Sequence, residues 1–140
     1  MSERWVIDAS VAMAWVHPAQ ATEATAELRQ RVMGGVTLVV PAIWFQETAN
    51  VLLVLERRKK LKDAERRRAL SALNGLNFKP DYDGIPLVFG IVSELAATQG
   101  LSVYDASYLE LAMREQLPLA TLDPPLRAAA RESGVPLLLR

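Results

Sequence analysis

The sequence predicts an α/β fold, a single domain with a central, mostly parallel sheet and helices on both of its faces. Short, continuously apolar segments alternate with longer segments of helical periodicity, which is typical of a parallel sheet buried on both sides. The chain has 140 residues, of which 51% are hydrophobic, and this suffices for one compact core. We find no internal repeat and no linker, so we expect one domain over residues 1–140.

The N-terminal part of the chain predicts two strands and two helices. RWVID (4–8) is apolar and β-branched and predicts a buried strand, and the alanine-rich ASVAMAWV (9–16) predicts a short helix. ATEATAELRQRVMGG (21–35) predicts a second helix, which its two glycines would end. VTLVVP (36–41) predicts a second buried strand that stops at its proline.

The middle of the chain is dominated by helical patterns. AIWFQETANVLLVLERRKK (42–60) predicts a long helix with an apolar centre and a basic C-terminal end, where positive charge complements the helix dipole. KDAERRRALSALNGL (62–76) predicts a further helix that begins near Asp63. NFKP (77–80) is too short and too mixed to predict more than a brief strand.

The C-terminal part continues the alternation. GIPLVFGIVSELAATQG (84–100) predicts one helix closed by its last glycine, and SVYDASYLELAMREQ (102–116) predicts another that is capped by its serine or its aspartate. PLATLD (118–123) predicts a strand, PPLRAAARESG (124–134) a helix and VPLLL (135–139) a last strand.

Four carboxylates stand in apolar surroundings instead of among other charges. Asp8 and Asp123 each follow a predicted strand and precede a predicted helix. Asp105 begins a helix with an apolar face, and Glu47 lies inside the most apolar helix of the chain. In an open parallel sheet, ligands bind beyond the carboxyl ends of the strands, so we expect these carboxylates to meet in one crevice.

Each carboxylate also has a simpler explanation. Aspartate is a preferred helix N-cap, and Asp123 before Pro124 matches a cap followed by proline. Glu47 could instead pair with an arginine. Taken together, converging carboxylates repel one another and are stable as anions only with a cation among them. Because the sequence has no cysteine, oxygen ligands for Mg²⁺ or Mn²⁺ are favoured over a zinc site, and such a metal supports phosphodiester hydrolysis.

The segments that carry these carboxylates resemble the PIN domain family and, within it, the VapC-type toxins of bacterial toxin–antitoxin systems. The resemblance covers nearly the whole chain, through VIDASV, ETAN, SVYDASYLELA and ATLDPPL in the order of the family. It implies that the metal ligands and catalytic residues are Asp8, Glu47, Asp105 and Asp123. It also implies that polar neighbours orient ligands or solvent: Ser10, Asn50 and Thr121. The family implies a Mg²⁺- or Mn²⁺-dependent endoribonuclease, a homodimer and neutralisation by a cognate antitoxin protein.

Half of the basic residues lie in ERRKKLKDAERRR, between Glu56 and Arg68. Such a run is often only a solvated surface, but it is also typical of nucleic-acid binding. The chain has 16 basic and 16 acidic residues in total, and this balance does not decide between the two interpretations. The candidates for contacts with RNA are Arg57, Arg58, Lys59 and Lys60. The same surface could instead meet an acidic segment of a partner protein.

The lone His17 is expected to be an ordinary exposed loop residue.

Other functions remain open at this stage. A receiver-type phosphoacceptor domain would need paired acids after the first strand and a late lysine, and the sequence has neither. A PIN nuclease of RNA processing and a metal-free binding module that keeps the fold are further alternatives.

No apolar run approaches the roughly 20 residues of a membrane span. Together with the absence of cysteine, this leads us to expect a cytoplasmic protein without a membrane segment.

Overall fold

Residues 3–139 are described by a computed structural model, so positions 1, 2 and 140 of the predicted domain lie outside it. Four parallel strands form one sheet in the order β3-β2-β1-β4. The strands are β1 (Arg4–Ile7), β2 (Thr37–Pro41), β3 (Phe78–Asp81) and β4 (Leu119–Ala120). In the register of the sheet, Trp5 pairs with Leu38 and Val6 pairs with both Val39 and Leu119. The predicted parallel sheet is therefore confirmed, and β1 and β4 are neighbours in it.

The helices form two groups. Helices α1 to α4 pack on one another, while α6 contacts α5, α7 and strands β1, β2 and β4. Their bounds are α1 (Ala9–Val16), α2 (Glu23–Met33), α3 (Trp44–Arg57), α4 (Asp63–Asn74), α5 (Ser93–Gln99), α6 (Val103–Glu115) and α7 (Pro124–Glu132). The main core between these layers is apolar and includes the fully buried Trp5 and Trp44.

Two predicted elements are wrong in part. The single helix predicted over 84–100 is broken: a 3₁₀ turn at Ile85–Leu87 leads into a π-helical segment at Val88–Val92, and only α5 is α-helical. Pro86 lacks an N–H and disfavours helical backbone before it, and Gly90 has the non-helical angles φ −113°, ψ −105°. The last strand predicted over 135–139 is reduced to one bridge between Leu119 and Leu137.

An arginine on α6 ties the end of β3 to that helix. Arg114 donates from Nη2 to Asp81 Oδ2 at 2.7 Å and from Nε to Glu110 Oε2 at 2.9 Å. Asp81 Oδ2 also accepts the N–H of Gly84 at 3.0 Å. Both carboxylate side chains are only 8% exposed. We call this group the Arg114 bridge, and it fixes the irregular segment after β3 against α6.

Over residues 3–139, no single helix has both the length and the apolar composition needed to cross a membrane. The segments Ile85–Gln99 and Val103–Glu115 satisfy those two criteria only as a pair, and the pair is bent by 108°.

Candidate active site

Asp8 follows β1 directly and is the N-cap of α1. Its Oδ1 accepts the N–H and the hydroxyl of Ser10, at 3.1 and 2.6 Å, and its Oδ2 accepts the hydroxyl of Thr121 at 2.5 Å. The residue is 4% exposed, so these donors compensate a carboxylate that burial would otherwise destabilise. The simpler explanation of Asp8 as a cap is therefore correct, and it is compatible with a place in a carboxylate site.

The two hydroxyls that hold Asp8 also connect it to the chain after β4. Ser10 Oγ accepts the N–H of Leu122 at 2.9 Å, and Thr121 Oγ1 accepts the N–H of Asp123 at 3.0 Å. Asp123 caps α7 by accepting the N–H of Leu126 at 3.1 Å. Because β1 and β4 are adjacent, Asp8 and Asp123 lie at the same edge of the sheet.

Glu47 lies in the first turn of α3 and is half-buried. Its Oε2 accepts the hydroxyl of Tyr108 at 3.2 Å. Within the described range Glu47 forms no ion pair, so the alternative of an arginine partner is wrong. Tyr108 was missed in the sequence because a tyrosine in an apolar helix looks like core. The available signal was its spacing of one turn after Asp105, which puts both residues on one face of the helix.

Asp105 lies in the first turn of α6 and is half-buried, but it is not the cap of that helix. Ser102 is the cap, and its Oγ accepts the N–H of Asp105 at 3.0 Å. The capping explanation therefore fails for Asp105, and its carboxylate is left for another role.

All four carboxylates lie at helix N-termini, Asp8 and Asp123 as caps and the other two in first turns. Burial is the main cause that raises the pKa of Asp8, Glu47 and Asp105 above their ordinary values. The negative charge of Asp105 also raises the pKa of Asp8 and of Glu47, and the charge of Asp123 raises the pKa of Asp105. Asp105 therefore lies within electrostatic range of each of the other three carboxylates, and the positive ends of the helix dipoles act against their repulsion.

The donor set suits a hard divalent cation. It consists of carboxylate oxygens, the ligands that Mg²⁺ and Mn²⁺ prefer. In the part of the chain that the structure describes, no positive side chain forms an ion pair with Asp8, Glu47, Asp105 or Asp123. That part also has no three His, Cys, Asp or Glu side chains already arranged around one point. Since Mg²⁺ usually keeps several waters and takes one or two carboxylates directly, the residues fit an ion held partly through water.

Two further polar residues were considered in the sequence, Asn50 and His17. Asn50 is exposed on α3. Contrary to expectation, His17 is half-buried, and its Nδ1 is buried without a hydrogen-bond partner among residues 3–139. It follows α1 directly as its C-cap, at the end of the helix opposite Asp8.

The basic run forms the C-terminal end of α3, the following turn and the start of α4. Arg66 pairs with Glu56 and Asp63, and Arg67 pairs with Asp63. The four candidates for RNA contact are all exposed: Arg57, Arg58, Lys59 and Lys60. We call these four residues the basic tip. Arg57 lies ten residues after Glu47 on the same helix, which is about 15 Å along its axis.

The comparison with known proteins agrees with this architecture. A family model described as PIN domain matches residues 5–132. Similar solved structures include PAE2754 from Pyrobaculum aerophilum, with 24% identity, TM-score 0.63 and coverage of 91% of this chain and 84% of that one. FitAcB from Neisseria gonorrhoeae has 19% identity, TM-score 0.63 and 94% coverage of both chains.

VapBC2 from Rickettsia felis, bound to a DNA fragment from their promoter, has 13% identity, TM-score 0.66 and 96% coverage of both chains. These identities are low, so the structures support the fold alone. No curated protein sequence matches significantly. The family model nevertheless spans most of the sequence and includes all four carboxylates, and on this ground the chain belongs to the PIN domain family.

Proposed function

We propose that the chain is the toxin component of a type II toxin–antitoxin system and acts as a divalent-metal-dependent endoribonuclease. PIN domains are nucleases, and they generally use divalent metals. The observation that carries the proposal is a set of four carboxylates that have no cationic partner among residues 3–139. Asp8 and Asp123 lie at the same edge of the sheet, and the charge of Asp105 raises the pKa of Asp8 and of Glu47. The toxin role is supported by the VapC-type motifs and by the fold that the chain has in common with VapBC2.

The carboxylates Asp8, Glu47, Asp105 and Asp123 would hold the Mg²⁺ or Mn²⁺ ion. When bound, such an ion lowers the pKa of a water molecule and neutralises charge on the phosphate in the transition state. Ser10 and Thr121 hold Asp8 by both of its oxygens, so the orientation of its carboxylate is fixed before the ion arrives. This preorganisation reduces the rearrangement that binding requires.

The RNA would be bound by positive charge outside the acidic group. The basic tip supplies exposed cations that the described ion pairs do not neutralise. About 15 Å of helix separates it from Glu47, so the strand would extend from the tip along α3 to the carboxylates. The acidic crevice itself would then contact only the phosphate that is cleaved.

We also propose that the chain is a homodimer whose crevices stay open to RNA or to a cognate antitoxin. The broken segment 84–92 exposes three large apolar side chains, with Ile85 57%, Phe89 100% and Ile91 61% exposed. Exposed apolar patches of this kind typically mark protein–protein interfaces. A two-fold pair is the commonest arrangement of soluble oligomers.

The nuclease activity is tested with Asp105→Asn, which removes a charge and keeps the shape of the side chain. We expect cleavage of a labelled RNA in Mg²⁺ or Mn²⁺ to fall by about 100-fold or more, since removing even a group behind a metal ligand costs about 10- to 100-fold. Asp83→Asn, at an exposed aspartate outside the site, should cleave normally. Cleavage by Asp105→Asn at the wild-type rate, or unchanged cleavage in chelator, would refute the proposal.

The RNA path is tested with matched charge removals in the inactive Asp105→Asn background. Lys59→Gln/Lys60→Gln should weaken RNA binding and flatten the dependence of log affinity on log salt by roughly 0.7 for each lost phosphate contact. Lys79→Gln/Arg131→Gln removes two exposed charges elsewhere and should change the slope little. Equal effects of the two double variants would mean that the basic tip is only a solvated surface or a surface for a protein partner.

A further inference from the structure

The carboxylates differ in the donors that hold them. Asp8 has hydroxyl donors on both oxygens. Among residues 3–139, Glu47 has the Tyr108 hydroxyl as its one hydrogen-bond donor, on Oε2, and its Oε1 has none. The orientation of Glu47 therefore depends on a side chain from a different helix, α6.

The Tyr108 hydroxyl is confined to this role. The residue is 0% exposed, so its hydroxyl cannot turn to bulk water. Its one hydrogen bond to a side chain among residues 3–139 is the donation to Glu47 Oε2 at 3.2 Å.

We propose that Tyr108 is a positioning residue, which holds Glu47 by Oε2 and so presents Oε1 to the divalent ion. This inference rests on the proposed metal-dependent nuclease. Asp105 and Tyr108 are one turn apart on α6, so a single helix provides one carboxylate of the site and aligns another. In the absence of the hydroxyl, the Glu47 side chain would be free to adopt other rotamers and would bind the ion less well.

The test is a titration of the metal-free protein with Mn²⁺ alone, followed by calorimetry, so that it does not depend on RNA cleavage. Tyr108→Phe removes only the hydroxyl, and we expect it to weaken Mn²⁺ binding by about 10-fold or more. Tyr82→Phe is the matched control, because Tyr82 is 65% exposed and lies outside the site. It should bind Mn²⁺ as the wild type does.

A double-mutant cycle separates positioning from a general structural role. Adding Tyr108→Phe to Glu47→Gln should cause no further loss of Mn²⁺ affinity if the tyrosine acts through Glu47. Glu47→Asp provides a second route, since the shorter side chain no longer reaches the hydroxyl. It should weaken Mn²⁺ binding, and Tyr108→Phe should not weaken it further. Thermal unfolding in chelator confirms that each variant is folded.

The outcomes distinguish this inference from the function on which it rests. If the wild type binds Mn²⁺ but Tyr108→Phe binds it equally well, the positioning role is wrong and the nuclease proposal stands. If Tyr108→Phe weakens binding equally with and without Glu47, it acts through packing, and the inference is again overturned. If the wild type binds no Mn²⁺ and cleaves no RNA, both proposals fail.

Discussion

The carboxylates of Asp8 and Glu47 accept different numbers of hydrogen bonds, and this difference decides at which of the two positions an amide side chain can replace the carboxylate. Both oxygens of Asp8 accept hydrogen bonds, from Ser10 and from Thr121. An asparagine there would turn its NH₂ group toward one of these donors. Among residues 3–139, Glu47 accepts a hydrogen bond only on Oε2, so a glutamine can give its carbonyl oxygen to Tyr108 and direct its NH₂ group toward the other carboxylates.

We therefore predict opposite effects of two amide substitutions on the metal-free protein. Glu47→Gln should raise the free energy of unfolding by about 1 kcal/mol, as relief of a strained functional site commonly does. Asp8→Asn should not raise it, because the relief of repulsion is offset by a lost hydrogen bond of similar size. Urea unfolding in chelator at pH 7.5 measures both. A clear loss of stability in Glu47→Gln would show that the carboxylates do not repel one another in the folded chain.

The pH dependence of the Glu47 effect has a defined sign. Burial and the charges of Asp105 and Asp8 raise the pKa of Glu47 above 4.5, so the folded state binds its proton more tightly than the unfolded state does. The charged form therefore destabilises the fold at neutral pH, and this cost disappears as the pH falls through the raised folded pKa toward 4.5. The difference between Glu47→Gln and the wild type should be largest near pH 7.5 and should close below about pH 4.5.

At the scale of elements, the Arg114 bridge connects β3 to α6 and leaves little space at Gly84. Burial alone would raise the pKa of Asp81, but the hydrogen bonds and charge of Arg114 outweigh it and lower that pKa. A Cβ added at Gly84 would lie 2.9 Å from Asp81 Oδ2 and 3.2 Å from Arg114 Nη2. A larger residue at this position would therefore displace the side chains of the ion pair.

Gly84→Ala should destabilise the protein by about 1–3 kcal/mol, the usual cost of overpacking a filled site. Gly75→Ala is the control, because its added Cβ would meet the carbonyl oxygen of Ala72 at an ordinary 3.6 Å and its φ of −85° suits alanine. Thermal unfolding of the two variants at pH 7 compares them directly. Equal melting temperatures for both would mean that the Arg114 bridge shifts to accommodate the methyl group at no cost.

The elements that could be predicted are those whose signal is local. The apolar runs of β1 and β2 and the periodic helices α3, α4 and α6 carry their own pattern and were confirmed. The broken segment 84–92 was not predicted, because its apolar residues continue the helical pattern across Pro86 and Gly90.

The candidate site, too, could be predicted only where its signal is local. Its four carboxylates are predicted from strand ends and apolar surroundings, and in the structure Asp105 lies within electrostatic range of the other three. Their role as metal ligands stays a prediction. Tyr108 could not be identified in that way, since its partner Glu47 lies 61 positions away on another helix. Contacts of this kind depend on how α3 and α6 pack, which no local pattern encodes.

At the scale of the whole molecule, the exposed side chains of segment 84–92 predict how copies associate. Phe89 is 100% exposed, so Phe89→Ser removes no packing from a monomer and should convert the proposed dimer to monomer. Met33→Ser is the control at another exposed apolar residue, 72% exposed at the end of α2. Light scattering at micromolar concentration gives the mass of each variant. A wild-type mass equal to that of the 15.5 kDa chain would reject the dimer.

The hydroxyl contacts around Asp8 have a consequence for the order of events during synthesis. Asp8 precedes Thr121 by 113 positions in the chain, yet Thr121 holds one of its oxygens and Leu122 anchors the Ser10 that holds the other. A chain that has not yet emerged from the ribosome as far as residue 123 lacks both of these anchors and one carboxylate of the group. N-terminal segments can fold during synthesis, but the carboxylate group is completed only when β4 joins the sheet beside β1. Whatever reaction this edge of the sheet performs, a nascent chain cannot perform it before that strand is in place.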